Sequence, residues 1–374
     1  MAVWLRSKIH GGSSGDVNIL GIETSCDETA AAVVKDGREV LSNVVYTQIP
    51  LHRPYGGVVP EIASRAHVEK IGQVAGEAIE RFGGKIDMVA VTYGPGLSPA
   101  LIVGINAAKG LAKSLGVPLA GINHIEGHLH TPFLYDPGDD EIAPGPSEIG
   151  PALGLVVSGG NTVWIDMPEY CRYEVIGETL DDAAGEAFDK AAKLLGLGYP
   201  GGLKIDRMSA EYVAKAGRAD LIPFPKGRPR EGVSALAGLP AEMCVSFSGL
   251  KTALLRYVQK NPLPESQDDA AAELARIVAS YQEAIVRALA DVTRTALRRK
   301  RYKTFVLGGG VSLNSRVREV LSSVCAEAGA RILMAKPKYT GDNGAMIAGL
   351  AHFRQNHVED AMSLDAKPSL QVGE

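Results

Sequence analysis

Cysteine is scarce in this sequence, and the few that occur lie far apart. Only four are found in 374 residues. They are Cys26, Cys171, Cys244 and Cys325, and no two of them form a Cys-x-x-Cys pair. A disulfide framework and a zinc knuckle both need closely spaced cysteines, so this pattern argues against both. Dispersed cysteines fit a reducing compartment, and we therefore expect a cytoplasmic protein.

Long apolar runs are missing as well. No apolar stretch is long enough to span a bilayer, so we expect no association with a membrane. Residues 1–16 lack the sustained apolar core of a secretory signal. We interpret them as a flexible leader that is not part of the fold.

The chain also has no excess of positive charge. Its formal net charge is −4, so the overall composition does not indicate nucleic-acid binding. Basic residues do cluster locally, at residues 226–230, at residues 298–301 with Lys303, and at Lys336 and Lys338. Each cluster is typical of a solvated surface, but together they could hold a polyanion through phosphate contacts.

The order of predicted elements suggests a duplicated plan. At this length two domains are expected. Strand hairpins followed by alternating helices and strands predict an α/β fold with a mixed sheet. A loop rich in proline and acids at residues 136–151 precedes what resembles a second start. We predict two lobes with a cleft between them: residues 17–135 with about 335–360, and residues 136–334. Residues 361–374 are expected to form a loose tail.

The motif His124-Ile-Glu-Gly-His128 is the most informative stretch. It follows a predicted strand at residues 119–123, and a helix beginning near His124 would stack the two imidazoles one turn apart, where they can share a metal ion. Glu126 lies about 200° around the helix from His124, so it points away from such an ion and is poorly placed as a peptidase base. Two partly buried histidines would be the simpler interpretation, but we favour a metal pair without peptidase chemistry.

Asp342 stands at the start of another predicted helix. It could be an ordinary helix cap. It could also complete a His, His, Asp ligand set, which leaves coordination positions open for a substrate.

Glycine-rich turns form a second group of candidates. Residues 23–29 and 156–162 occupy matching hairpins of the two halves, and their small residues would let backbone N–H groups surround a phosphate. Residues 308–314 follow a predicted strand, where a nucleotide's sugar and base can lie. Tight turns alone would also explain these glycines. Asp182, Glu186 and Asp189 have the spacing of one helical face, which is usually solvated but could here bind a ribose hydroxyl.

Several of these motifs resemble the TsaD family, which transfers a threonylcarbamoyl group to a tRNA adenosine. The similar segments are residues 22–29, 55–67, 124–128, 181–190 and 247–251. The resemblance implies the fold shared by actin, heat-shock chaperones and sugar kinases (ASKHA). It implies transfer from threonylcarbamoyl-AMP to the N6 amine of the adenosine 3′ to the anticodon, in tRNAs that read codons beginning with A.

The resemblance also implies roles for particular residues. The metal ligands would be His124, His128 and Asp342, holding one divalent ion, with iron favoured and zinc possible. Asp27 and Glu28 would give catalytic support. The contacts to the adenine-nucleotide donor would be Val156, Val157, Ser158, Gly159, Gly160, Asp189, Gly202, Asp206 and Asn314.

Partners follow from the same resemblance. They are tRNA, a smaller non-catalytic paralogue of the same fold and a P-loop ATPase, with a homodimer expected when the paralogue is absent. The helix predicted at residues 60–82 could be the pairing surface, or its apolar residues could be ordinary core. Three other functions stay open: a glycoprotease-type metallopeptidase, a small-molecule kinase of the ASKHA fold, and an ATP-dependent chaperone, which would need a peptide-binding domain.

Overall fold

The computed structural model describes residues 16–229, 238–354, 358–359 and 362–374. Residues 1–15 of the expected leader and Arg230 of the first basic cluster lie outside the described residues. The chain divides into two compact units, residues 1–148 with 334–374 and residues 149–333. None of the described helices combines the length and the apolar character needed to cross a membrane.

The described part of the chain contains eleven strands and ten α-helices. The strands are β1 (Asn18–Glu23), β2 (Glu28–Lys35), β3 (Glu39–Thr47), β4 (Met88–Gly94), β5 (Leu119–Asn123), β6 (Ala152–Val157), β7 (Thr162–Glu169), β8 (Arg172–Glu178), β9 (Thr304–Gly308), β10 (Arg331–Met334) and β11 (Val358–Glu359). The helices are α1 (Ile49–His52), α2 (Pro60–Phe82), α3 (Ser98–Leu115), α4 (His124–His130), α5 (Ala184–Leu194), α6 (Gly202–Ala216), α7 (Ser248–Lys260), α8 (Gln267–Arg299), α9 (Ser315–Glu327) and α10 (Gly344–Phe353).

The first unit is built on a mixed sheet with the order β11-β5-β4-β1-β2-β3. β1, β2 and β3 form an antiparallel meander, whereas β1, β4 and β5 run parallel. The carboxyl ends of these parallel strands therefore meet at one edge of the sheet, where Glu23, Gly94 and Asn123 lie. Ligand sites commonly form at such an edge.

Helices cover both faces of this sheet. On one face, Leu20 and Ile22 of β1 share a buried core with residues of α2 and α3 such as Val74 and Leu101. On the other face, α10 lies directly on β1 and β2. A Cβ atom at Gly21 would lie 2.2 Å from the carbonyl oxygen of Gly344. This close approach brings the start of α10, and hence Asp342, to the sheet edge.

The second unit repeats the plan with the sheet order β10-β9-β6-β7-β8. β6, β7 and β8 form an antiparallel meander, and β6 pairs in parallel with β9. The long helix α8 is anchored to this unit by Trp164, whose Nε1 donates to Thr293 Oγ1 at 3.0 Å. The predicted α/β class with two mixed sheets is confirmed.

Two details differ from the sequence-based expectations. Residues 362–374 are not a loose tail, because Leu364 and Leu370 are buried in the core of the first unit and Lys367 N donates to Tyr93 O at 2.7 Å. Two isolated leucines in a polar segment have no periodicity that would reveal this packing. In addition, α5 begins only at Ala184, so Asp182 precedes the helix instead of lying on its face, although Asp182 and Glu186 both form ion pairs with Lys190.

Candidate metal centre and glycine-rich turns

The helix α4 presents His124 and His128 as the sequence predicts. It begins directly after β5, and its start is capped by Asn123, whose Oδ1 accepts from Ile125 N at 2.9 Å and Glu126 N at 3.3 Å. This side chain replaces the helical partners that the first N–H groups lack. Both histidines are buried, and their ring centroids are 4.7 Å apart.

The structure brings Asp342 to these two imidazoles. Its Oδ1 lies 3.2 Å from His128 Nε2 and 3.7 Å from His124 Nε2. One ligand atom from each of the three residues lies within 4.8 Å of the others. The two ring nitrogens of His128 have no hydrogen-bond partner among the described residues, although both are buried. Converging ligand atoms that do not hydrogen-bond to one another fit a divalent cation.

A buried glutamate supports this group from behind. Glu23 is fully buried and accepts from Ser25 N and Thr92 Oγ1. Its Oε2 also lies 3.1 Å from His124 Nδ1, which is 3.0 Å from Ser25 Oγ as well. Because a carboxylate only accepts, Nδ1 carries the proton and Nε2 is left for a cation. Sequence reasoning missed this role; the available signal was an acid at the end of an apolar strand.

The charges around the group favour a cation. Burial alone would lower the pKa of His124, but the carboxylates of Glu23 and Asp342 raise it to about 9. Burial would raise the pKa of Asp342, but the imidazoles of His124 and His128 hold it at about 2. The three ligands and Glu23 thus form an interdependent set that a divalent ion would complete.

The negative charge of Asp342 also acts on Asp27 and Glu28. Burial, together with the negative charge of Asp342, raises the pKa of Asp27. Burial and the negative charges of Asp27 and Asp342 raise the pKa of Glu28 well above its usual range. Glu28 accepts from Thr47 Oγ1 at 3.2 Å. Carboxylates repel a phosphate unless a cation lies between them, so the phosphate turn expected at residues 23–29 stays a prediction.

The glycine-rich turns of the second unit lie side by side. Val156 of β6 pairs with Gly308 of β9, so the two strand ends are adjacent. Gly309 has φ +89°, and a Cβ there would lie 2.4 Å from Val157 O. Ser158 O accepts from Gly185 N at 3.1 Å, which places the start of α5 against the same turn. Three backbone segments therefore meet where side chains are absent, and they could approach an anion closely.

Gly159 and Gly160 at this turn face open space. A Cβ at either position would have no described atom within 4 Å. Ser158 closes the turn by pairing with Asn161 through two hydrogen bonds, of 2.8 Å and 3.2 Å. Local crowding therefore does not require glycine at these two positions.

The other nucleotide candidates of this unit already have protein partners. Asp189 accepts from Gly201 N at 2.7 Å, immediately before Gly202. Asp206 accepts from Ser315 N at 3.0 Å and Ser315 Oγ at 2.8 Å. Asn314 caps α9 by accepting from Val317 N at 3.0 Å, and it donates to Gln282 Oε1 at 2.7 Å. These contacts connect α5, α6, α8 and α9.

Part of the predicted basic surface is neutralised. Lys336 forms ion pairs with Asp136 and Asp139, and Lys338 pairs with Asp136. In the cluster at residues 298–301, Arg299 pairs with Glu242 and Lys300 with Asp166, whereas Arg298 and Arg301 are exposed.

Comparison with known proteins identifies the family. The family model described as "TsaD: tRNA N6-adenosine threonylcarbamoyltransferase" matches residues 39–349. The chain belongs to the TsaD family. A relative named tRNA N6-adenosine threonylcarbamoyltransferase from Clostridium perfringens (strain ATCC 13124) is 45% identical over 361 residues, covering 95% of this chain and 98% of the relative. A relative of the same name from Anaeromyxobacter dehalogenans (strain 2CP-C) is 50% identical over 334 residues, covering 88% and 92%.

The fold is also seen in more distant proteins. The crystal structure of T. kodakarensis HypF matches with a TM-score of 0.55 at 15% identity, covering 91% of this chain and 47% of HypF. At this identity the likeness concerns the fold alone, and it agrees with the ASKHA fold implied for the TsaD family.

Proposed function

We propose that this protein transfers the threonylcarbamoyl group from threonylcarbamoyl-AMP to the N6 amine of the adenosine 3′ to the anticodon, in tRNAs that read codons beginning with A. Membership of the TsaD family supports the transfer to tRNA adenosine. The observation that carries the proposal in this chain is the convergence of His124, His128 and Asp342 on one point, with Glu23 behind them.

The reaction needs positioning more than an enzyme nucleophile. The donor is an activated acyl-phosphate anhydride with AMP as leaving group, while the acceptor amine is weak because its lone pair is delocalised into the purine. Orientation and stabilisation of the leaving phosphate are therefore the main demands. The backbone N–H groups at Gly159 and Gly160 and the hydroxyl of Ser158 would hold the phosphate, and Asn314 would lie near the adenosine.

The ligand residues would hold one divalent ion, iron in preference to zinc. When bound, this ion would supply a Lewis acid and a template for donor oxygens. Glu23 keeps His124 in the orientation that directs Nε2 towards Asp342. Asp27 and Glu28 are our candidates for the proton acceptor, since their raised pKa values make them stronger bases than free carboxylates.

The position of Glu126, the only acid within the motif from His124 to His128, disfavours a metallopeptidase. The carboxylate of Glu126 accepts from Arg354 and Gly373, so it is engaged away from the two imidazoles. A small-molecule kinase has only the general fold in its favour.

We further propose partners for the reaction: tRNA, a smaller paralogue of the same fold and a P-loop ATPase, with a homodimer forming without the paralogue. On α2, Ala66, Ile71 and Val74 belong to the core and cannot form the pairing surface. Val68 on the same helix is 64% exposed, as a pairing residue must be.

The decisive experiment supplies labelled threonylcarbamoyl-AMP and tRNA transcripts, with and without the partner proteins. Label should enter tRNA with the wild type, and with the control Arg172→Ala, which changes an exposed side chain. It should not enter with folded His128→Ala. Failure of the metal-loaded wild type to label tRNA with all partners present would overturn the proposal, as would transfer at the wild-type rate by His128→Ala.

A further inference from the structure

We propose that Glu126 is a positioning residue, which fixes the helix that carries His124 and His128 relative to the helix that follows Asp342. This inference rests on the proposed metal role of the three ligands. Glu126 is 2% exposed, although it is charged and belongs to the seven-residue helix α4. Its Oε2 accepts from Arg354 Nη2 and its Oε1 accepts from Gly373 N at 2.9 Å. A carboxylate buried so completely needs such partners.

The ion pair between Glu126 and Arg354 lies at the opposite end of α10 from Asp342. Asp342 lies two residues before the helix, and Arg354 caps its carboxyl end. The helix has ten residues, which corresponds to a length of about 15 Å. The contact between Glu126 and Arg354 therefore fixes α10 at the end far from Asp342. A shift of α10 along its axis would move Asp342 away from the imidazoles.

Close packing between α4 and α10 makes such a shift consequential. A Cβ at Gly127 would lie 3.1 Å from Ile347 Cδ1, and a Cβ at Gly349 would lie 2.5 Å from His130 Cδ2. The two helices thus lie against each other with glycine on both sides. Packing restrains their separation, while the ion pair restrains sliding and rotation, to which the distances between the ligand atoms are sensitive.

The carboxyl-terminal segment, residues 362–374, adds a third connection. Asn123, the cap of α4, donates from Nδ2 to Gln371 O at 2.9 Å. Glu126 accepts from Gly373 N, two residues further along. His124 therefore lies between two residues held by the same segment, which is itself anchored by the buried Leu370. These contacts hold α4 in place without involving the proposed ligand atoms of His124 and His128.

A purely structural ion pair would contribute to stability but not to metal affinity. A double-mutant cycle in which both quantities are measured distinguishes a structural role from a positioning role. The cycle uses Glu126→Gln, Arg354→Gln and the double variant in the full-length protein. Zn²⁺ affinity is measured by competition with a chelating dye, the absorption spectrum of bound Co²⁺ is recorded, and urea unfolding of the metal-free protein is followed in parallel. Outer residues that orient metal ligands typically change affinity by roughly 10–100-fold.

We expect each single variant to lower Zn²⁺ affinity by about tenfold or more. The two losses should not add in the double variant, the Co²⁺ spectrum should change, and Arg354→Lys should recover part of the affinity. The control Arg316→Gln breaks a comparably buried ion pair, with Glu283 of the second unit, and should change stability only. Wild-type affinity and an unchanged Co²⁺ spectrum in the two single variants would overturn the inference. If Glu126→Gln does not fold, Arg354→Lys and Arg354→Gln decide alone by the same readouts. A wild type that binds no divalent ion would instead overturn the proposed metal site.

Discussion

Replacing Glu23 by Gln should weaken the metal centre without changing its ligands. In the structure Oε2 of Glu23 faces both Thr92 Oγ1 and His124 Nδ1, and Oε1 accepts from Ser25 N. An amide has one accepting oxygen, so in either orientation its NH₂ group must face a donor. One buried contact is lost and the negative charge behind His124 disappears, which leaves the imidazole less basic and less firmly oriented.

The expected magnitude follows from these contacts. Loss of an outer carboxylate partner of a histidine ligand lowers metal affinity by roughly 10–100-fold, which corresponds to about 1.4–2.7 kcal/mol. The buried donor left unpaired costs a further 1–3 kcal/mol or so of folding stability. Dye competition for Zn²⁺ measures the first quantity and urea unfolding of the metal-free protein measures the second. Thr92→Val is the matched control, because it removes one donor to Glu23 and keeps the charge. If Glu23→Gln bound Zn²⁺ as tightly as the wild type, the reasoning about His124 would be refuted.

Four further outcomes are expected. His128→Ala should stay folded by circular dichroism and lose bound metal and tRNA modification, because it removes one of the three proposed ligands; retained modification would remove the metal from the reaction. Leu370→Ala should lower the free energy of unfolding by about 2–5 kcal/mol, and a change below about 0.5 kcal/mol, typical of surface sites, would show that the segment is not packed. Gly309→Ala should abolish donor binding, measured by calorimetry, because its Cβ would lie 2.4 Å from Val157 O at φ +89°; wild-type binding would contradict the role of this turn. Reversing the charges of the exposed Arg298 and Arg301 should weaken tRNA binding and reduce its salt dependence by about one phosphate contact per side chain, and an unchanged salt slope would exclude this surface.

Local patterns predicted the parts of the site that depend on nearby residues. The strand at residues 119–123 and the four-residue histidine spacing correctly predicted the start of a helix at His124. The glycines at residues 308–310 were correctly expected at a strand end. In each case the deciding interaction is short in sequence, because helix periodicity and turn geometry extend over only a few residues.

Contacts between residues far apart in the sequence could not be predicted from such local patterns. Glu23 meets His124 only because β1 and β5 both flank β4 and end at the same sheet edge. Asp182 shows the opposite error, because its helical spacing to Glu186 predicted that it lies in the helix, whereas it precedes α5 and reaches Lys190 of that helix from outside at 2.6 Å. Periodicity describes a helix once it exists, but it does not fix the residue at which the helix begins.

The same reasoning explains why Glu126 was only half understood from the sequence. Helical geometry correctly placed its carboxylate away from the imidazoles, which disfavours a peptidase-like role. It could not reveal Arg354 and Gly373, because both lie more than two hundred residues further along the chain. Glu126 is buried and charged, but its proposed role is neither to bind the ion nor to transfer a proton. Other contacts must therefore offset the free-energy cost of its desolvation. In this chain the contacts that offset this cost are those that hold together the two segments carrying the proposed ligands. The burial of the charge and the geometry of the proposed metal site therefore depend on the same contacts.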